Sequence, residues 1–149
     1  MAKRVISGCL LLIMVGAFSC GSASSTQILS PTPTSVPPLQ PSECGAPQNA
    51  ICWNEAISYV GDYKVVCGQV VDTAYASGSD GKPTFLNLGK SYPNPERFTV
   101  VVWEENRANF PAFPEDFYLT KDICVDGLIE LYKGGAQIDG RTSSQINIQ

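Results

Sequence analysis

The chain has 149 residues, room for one ordinary domain, with 14 acidic and 10 basic residues and a formal net charge of −4. A nucleic-acid binder usually carries a basic footprint, and the chain as a whole lacks one. No histidine is present, which removes the usual Ser–His and Cys–His nucleophile–base pairs and the commonest general base.

From the N-terminus, Lys3 and Arg4 precede an apolar run from Val5 to Phe18, and small residues lead up to Cys20. This is the layout of a secretory signal over 1–19. The run has 14 residues, too short to cross ~30 Å of hydrocarbon as a helix. A buried N-terminal helix is the alternative, and it would need a core large enough to surround it. The stretch Ala17-Phe18-Ser19-Cys20-Gly21 resembles a bacterial lipoprotein processing site. The resemblance implies that Cys20 is lipidated and leads the mature chain, although Ala17 and Phe18 depart from the usual pattern. Such a chain sits outside the cytoplasm, anchored at a cell-envelope membrane or, without the lipid, secreted. After processing it holds eight basic residues against fourteen acidic ones.

Residues 20–43 read as a tether. Ser22 to Ser42 is rich in Ser, Thr and Pro, carries no charge and shows no apolar periodicity. Such a composition cannot bury enough surface to offset chain entropy, and its prolines favour extended conformations.

The predicted domain is 44–149. Trp53, Ala56, Ile57 and Val60 share one helical face, with Gly61 placed as a C′ glycine. A first strand covers Tyr63 to Val71, with Gly68 marking a bulge or bend. A Gly/Ser loop follows, from Ala74 to Lys82. Strands two and three are Thr84 to Leu88 and Phe98 to Trp103. In strand three Phe98, Val100 and Val102 face one way, and Thr99, Val101 and Trp103 the other. Glu104 to Phe110 suits a short helix stopped by Pro111 and Pro114. Strand four is Ile123 to Tyr132, interrupted by Gly127. Gly134-Gly135 is a hairpin signal, and Ala136 to Ile148 completes strand five, with a bend at Gly140. Five glycine-bent strands with a short helix between the third and fourth predict an all-β, five-stranded Greek-key barrel, whose closure removes exposed edges.

Several segments in this order resemble the OB-fold domains of bacterial secreted and lipoprotein nucleic-acid-related proteins, including those appended to nucleases. They are Tyr59-Val60-Gly61, Val66-Cys67-Gly68-Gln69-Val70, Pro83 to Gly89, Phe98 to Trp103, Ile123 to Gly127 and Leu131 to Ile138. The resemblance implies a ligand face on strands two and three, bordered by the loops 75–82 and 133–135. The ligand-binding candidates it yields are Tyr75, Lys82, Phe85, Asn87, Thr99, Val101, Trp103 and Lys133. Lys90, Arg97 and Arg141 join Lys82 and Lys133 as phosphate contacts, although for any single one of them a solvated surface is the better explanation. The pattern leaves open whether Phe85 and Trp103 face outward or form core.

Four cysteines, Cys44, Cys52, Cys67 and Cys124, remain after Cys9 and Cys20 are set aside, and they allow three pairings. The barrel implied by the resemblance makes strands one and four neighbours. It therefore pairs Cys67 with Cys124 and leaves Cys44 with Cys52; a Cys52–Cys67 crosslink is the rival. The longer ring of 57 residues stabilises by roughly 4 kcal/mol through loop entropy. With no CxxC and no histidine, zinc is not expected, and no cofactor is. Glu104-Glu105 and Glu115-Asp116 are adjacent pairs that do not face each other on a helix. Asp72 and Asp80 are the only acids near the position of a calcium-dependent OB nuclease site, and no arginine–acid cluster accompanies them.

The expected role is a non-enzymatic, tethered binding module for single-stranded nucleic acid or an oligosaccharide. An envelope accessory protein contacting another protein or a small cation is the alternative, and a metal-dependent nuclease comes third.

Overall fold

The structure, a computed structural model, describes residues 44–149. The expected signal peptide, the lipidated Cys20 and the tether up to residue 43 lie outside the described residues. Eight strands run in chain order: β1 (Ala50–Cys52), β2 (Tyr63–Tyr75), β3 (Thr84–Leu88), β4 (Phe98–Val102), β5 (Asp122–Leu128), β6 (Glu130–Tyr132), β7 (Gly135–Asp139) and β8 (Ile146–Ile148). One short α-helix, α1 (Pro114–Tyr118), and three 3-10 turns complete a mostly β domain.

β2 is thirteen residues long because it serves two neighbours. Its first half pairs antiparallel with β5, from Tyr63↔Leu128 to Gln69↔Asp122, and its second half pairs with β3, from Val70↔Leu88 to Tyr75↔Thr84. The register slips between Val70 and Asp72, so the bulge sits at Val71. Gly68 was the expected bulge; it instead makes room for an indole, since a Cβ there would lie 2.6 Å from the Trp53 ring. β4 pairs antiparallel with β3 and parallel with β7, giving the path β6-β7-β4-β3-β2-β5-β8, with β1 parallel to β2.

Alternation decides the core. Val66, Val70, Leu86, Leu88, Phe98, Val100, Val102, Ile123, Val125 and Ile138 point inward and are buried. Phe85, Asn87, Thr99 and Val101 therefore belong to the opposite face, which settles the parity that the sequence leaves open.

The expectation of a closed five-stranded barrel is corrected: the sheet is an open, mixed path of eight strands. The fourth expected strand breaks at Ile129, whose buried backbone turns to Asp62 O and Gly61 N. The fifth breaks after Asp139, where Gly140 and a 3-10 turn at Ser143–Gln145 intervene. β5 and β7 share no ladder. Ile138 occupies the seam, its Cγ2 only 2.6 Å from where a Cβ on Gly127 would lie. Gln145 fastens the gap instead, its Nε2 donating to Asp126 O at 3.0 Å and to Asp139 O at 3.3 Å. The Gln145 Oε1 accepts from the Arg141 and Thr142 amides, so all of its amide capacity is engaged.

Three local expectations also change. The helix over 53–60 is a single 3-10 turn, Ala56–Tyr59, in which Ala56 alone is buried while Ile57 and Val60 are exposed. Gly61 still follows its C-cap at φ +96, as a C′ glycine should. Pro114 begins α1 instead of only ending its predecessor, because its missing N–H is harmless in a first turn. The β6–β7 turn residues are Lys133 and Gly134, both at positive φ, while Gly135 opens β7.

Disulfides join Cys44 to Cys52 and Cys67 to Cys124. Cys67 and Cys124 are direct partners across β2 and β5. Cys52 is also in register with Cys67 on the parallel side, so the rival crosslink would leave the strand assignment intact. Two bridges fit an oxidising, extracytoplasmic environment. Among the described residues, no helix is long and apolar enough to cross a membrane.

Candidate functional site

The outward face of the sheet carries a polar row. Asp72 pairs with Asn87, Asn87 with Thr99, and Thr99 with Gln137, one residue from each of β2, β3, β4 and β7. Directly paired residues share a face, so these four side chains form a line across the strands. Asn87 is its hub. It donates from Nδ2 to Asp72 Oδ2 at 2.8 Å, and its Oδ1 accepts from Thr99 Oγ1 at 2.9 Å and from Arg97 Nε at 3.2 Å. Asn87 and Thr99 are buried among these partners. The half-buried amide of Gln137 has no side-chain partner among the described residues, so its donors and acceptor are free. The next row is apolar at Ala74, Phe85 and Val101 and ends on β7 in Asp139.

Above these rows lies a groove of about 670 Å³. Asp72, Phe85, Asn87, Thr99 and Gln137 line its floor, and Tyr92, Pro93, Pro95, Tyr132 and Lys133 complete its lining. Both tyrosines are open to solvent, Tyr92 at 71% and Tyr132 at 58%. Each carries a cation on its ring: Arg97 lies 5.1 Å from the Tyr92 centroid and Lys133 5.2 Å from that of Tyr132. Tyr92 is anchored through its amide, which donates to Asp72 Oδ2 at 3.0 Å. Arg97 is further held by Asn94 O at 2.7 Å.

Of the eight sequence-derived candidates, the groove brings together Phe85, Asn87, Thr99 and Lys133. Val101 lies on the same face but is covered. Trp103 packs against Gly81, where an added Cβ would lie 2.9 Å from its ring, and its Nε1 donates to Asp139 Oδ1 at 3.3 Å. The loop after β2 therefore folds over Trp103 and reaches the groove through Ser79 instead of through Lys82. Tyr75 points to a different cluster. Its hydroxyl donates to Glu104 Oε2 at 3.0 Å, and this bond to a carboxylate pushes the phenol pKa up. The Arg107 guanidinium lies 4.1 Å from the Tyr75 centroid and bonds Thr84 Oγ1. Arg107 Nη2 is 2.8 Å from each Glu115 oxygen, with hydrogen-bond geometry to Oε1 alone. Burial raises the Glu115 carboxyl, but the hydrogen bonds and the Arg107 charge outweigh it and hold the group below its ordinary value.

Of the remaining expected cations, Arg97 is in the groove, Lys90 is paired with Glu96, and Arg141 is placed at the β7–β8 connection. Tyr92, Tyr132 and Gln137 escaped the sequence reading, which weighed Asp72 only as an acid near a nuclease-type calcium site. A tyrosine inside a proline-rich loop was the one visible signal. Asp72 and Gln137 required the strand register. Among the described residues, no group of three or more carboxylate or thiol side chains is placed to hold a metal ion.

No known protein family matches the chain in sequence, and no curated protein does. Among solved structures, one described as an aspartyl-tRNA synthetase from Leishmania major Friedlin superposes with a TM-score of 0.45 at 13% identity, over 73% of this chain and 23% of that one. The chain thus spans about a quarter of the synthetase. An OBody bound to hen egg-white lysozyme gives a TM-score of 0.44 at 17% identity, over 70% of this chain and 96% of that one.

Proposed function

We propose that the domain is a non-catalytic binding module of OB-fold type, working outside the cytoplasm, whose outer groove holds a neutral glycan chain. The connectivity supports the fold reading. β2, β3 and β4 form a meander, β7 returns parallel beside β4, and β5 flanks β2, as in a Greek-key barrel that is partly open. β6 and β8 are the far halves of the frame's broken fourth and fifth strands, and β1 is an addition to it. A lipid at Cys20 and the Ser/Thr/Pro-rich tether would hold the module near a membrane surface, in keeping with the signal-like N-terminus.

The observation that carries the ligand reading is the polar row with its unpaired Gln137 amide, lining one groove with two exposed tyrosines and lying beside a mostly apolar row. A sugar ring has polar edges and apolar faces, and this floor sets the polar row beside Ala74 and Phe85. Nucleic acid fits less well. Its affinity comes mainly from phosphate neutralisation, and the Arg97 guanidinium is already bonded to Asn87 and Asn94. Lys90 is neutralised by Glu96, and the chain carries a formal net charge of −4.

Calorimetric titration of the full chain with chitohexaose, here and below in its neutral, fully N-acetylated form as is chitobiose, and with a twelve-residue oligothymidylate tests the choice. The sugar should bind with an affinity that barely changes between about 50 and 200 mM salt, while the oligonucleotide should not bind. Oligonucleotide binding that falls steeply over this salt range would overturn the glycan reading in favour of nucleic acid.

A further inference from the structure

A second hollow of about 670 Å³ lies beside the first. Pro95, Arg97 and Ala136 line both, so the two adjoin at the loop that precedes β4. We infer that this second hollow, built by β1 and the turn after it, is an extension subsite that receives further residues of the same chain ligand; the inference rests on the glycan reading of the first groove.

The hollow is lined by Trp53, Asn54, Ile57, Lys90 and Glu96. Trp53 is seated by construction. Its amide donates to Cys67 O at 2.9 Å, continuing the β1–β2 ladder that the Cys44–Cys52 bridge closes off. Its ring lies across two glycines: a Cβ on Gly68 would approach it to 2.6 Å, and one on Gly89 to 2.0 Å. Gly89 also needs its positive φ of +72 to return its amide to Gln69 O. Two bare backbone positions thus fix one indole, half-buried, in the lining of the hollow. The indole N–H has no partner among the described residues, so it is available as a donor. Beside it Ile57 is 50% exposed, an apolar rim that packing does not require. The only charges are Lys90, Glu96 and the shared Arg97. Lys90 and Glu96 neutralise each other, and the Lys90 hydrogen bond lowers the Glu96 carboxyl pKa.

An aromatic platform and a free N–H repeat the chemistry of the first groove, and the one ion pair beside them is compensated. Each hollow has a volume suited to a drug-sized ligand, so a disaccharide fits one and a hexasaccharide reaches both. The occupant is therefore a linear neutral glycan, recognised by length.

The test compares chitobiose with chitohexaose on the full chain carrying Trp103→Phe, so that Trp53 is the one fluorophore of its kind. Chitohexaose should bind at least about tenfold more tightly and shift the Trp53 emission, whereas chitobiose should bind without moving it. Ile57→Glu, at an exposed position, should keep the parent melting temperature yet remove the advantage of the longer sugar. Equal affinities with an unmoved emission, while Tyr92→Ala still weakens both sugars, would overturn the second hollow and leave the first groove standing. A Trp53 shift of equal size with chitobiose would also overturn the assigned order of subsites. If neither sugar binds, both readings fall.

Discussion

The molecule has two polar clusters that differ in what they leave unsatisfied. Around Arg107, the guanidinium faces a tyrosine ring, a threonine hydroxyl and a carboxylate, and these tie β2 and β3 to α1 and to the 3-10 turn at Glu104–Asn109. Around Asn87, the hub is equally well bonded, but the row ends in a free amide under an open groove. The unbonded oxygen of the first cluster, Glu115 Oε2, is buried beside Arg107 and stays with the fold, while the unpartnered Gln137 amide lines a groove and is available to a ligand. Tyr75 and Gln137 show the difference: the tyrosine looks like a binding residue in the sequence and serves the first cluster, and the glutamine attracts no notice and serves the second.

Arg107→Ala should give the largest effect. It strands Glu115 and Thr84, and a urea melt should show a loss of about 2–4 kcal/mol, with chitohexaose affinity per folded molecule unchanged. A parallel loss of sugar binding would merge the two clusters into one.

Asn87→Ala should act on both properties. Removing the hub leaves Asp72 and Thr99 without their partner, costing roughly 1–3 kcal/mol of stability and weakening the sugar as well. If binding survives intact, the row is structural.

Acid should separate the clusters further. The Glu115 carboxyl is lowered in the folded state, so its contribution is complete above the unfolded carboxylate value of ~4.3 and is lost as pH falls through the lowered folded value. Glu115→Gln should flatten the stability profile across that acid window. A variant that keeps the parent slope there would contradict the pairing.

Gln137→Ala should produce the smallest change in stability, within about 0.5 kcal/mol by thermal melting, together with about a tenfold loss of chitohexaose affinity.

Much of the strand content was legible in the sequence. The alternation in Phe98 to Trp103 identified β4, and Thr84 to Leu88 identified β3. The pairing of Cys67 with Cys124 followed from the neighbouring strands that the OB resemblance implies, and the structure has that bond. Closure was not legible, because the β5–β7 seam depends on the fit of Ile138 over Gly127 and on one distant glutamine, Gln145. The apparent helix at 53–60 misled for a related reason: its spacing suits a helical face, but Trp53 packs on Gly68 and Gly89, which only the folded chain brings together. The same holds for the groove. Lys133 and Asn87 could be found by analogy with OB-fold barrels, whereas the alignment of Asp72, Asn87, Thr99 and Gln137 is a property of register.

Amide chemical-shift mapping on the full chain, titrated with chitohexaose, examines the division between the clusters directly. Shifts should concentrate at Asn87, Tyr92, Arg97, Thr99, Tyr132 and Gln137 and reach the indole N–H of Trp53, while Tyr75, Thr84, Arg107 and Glu115 stay in place. Shifts centred on Arg107, or none at the polar row, would contradict the account.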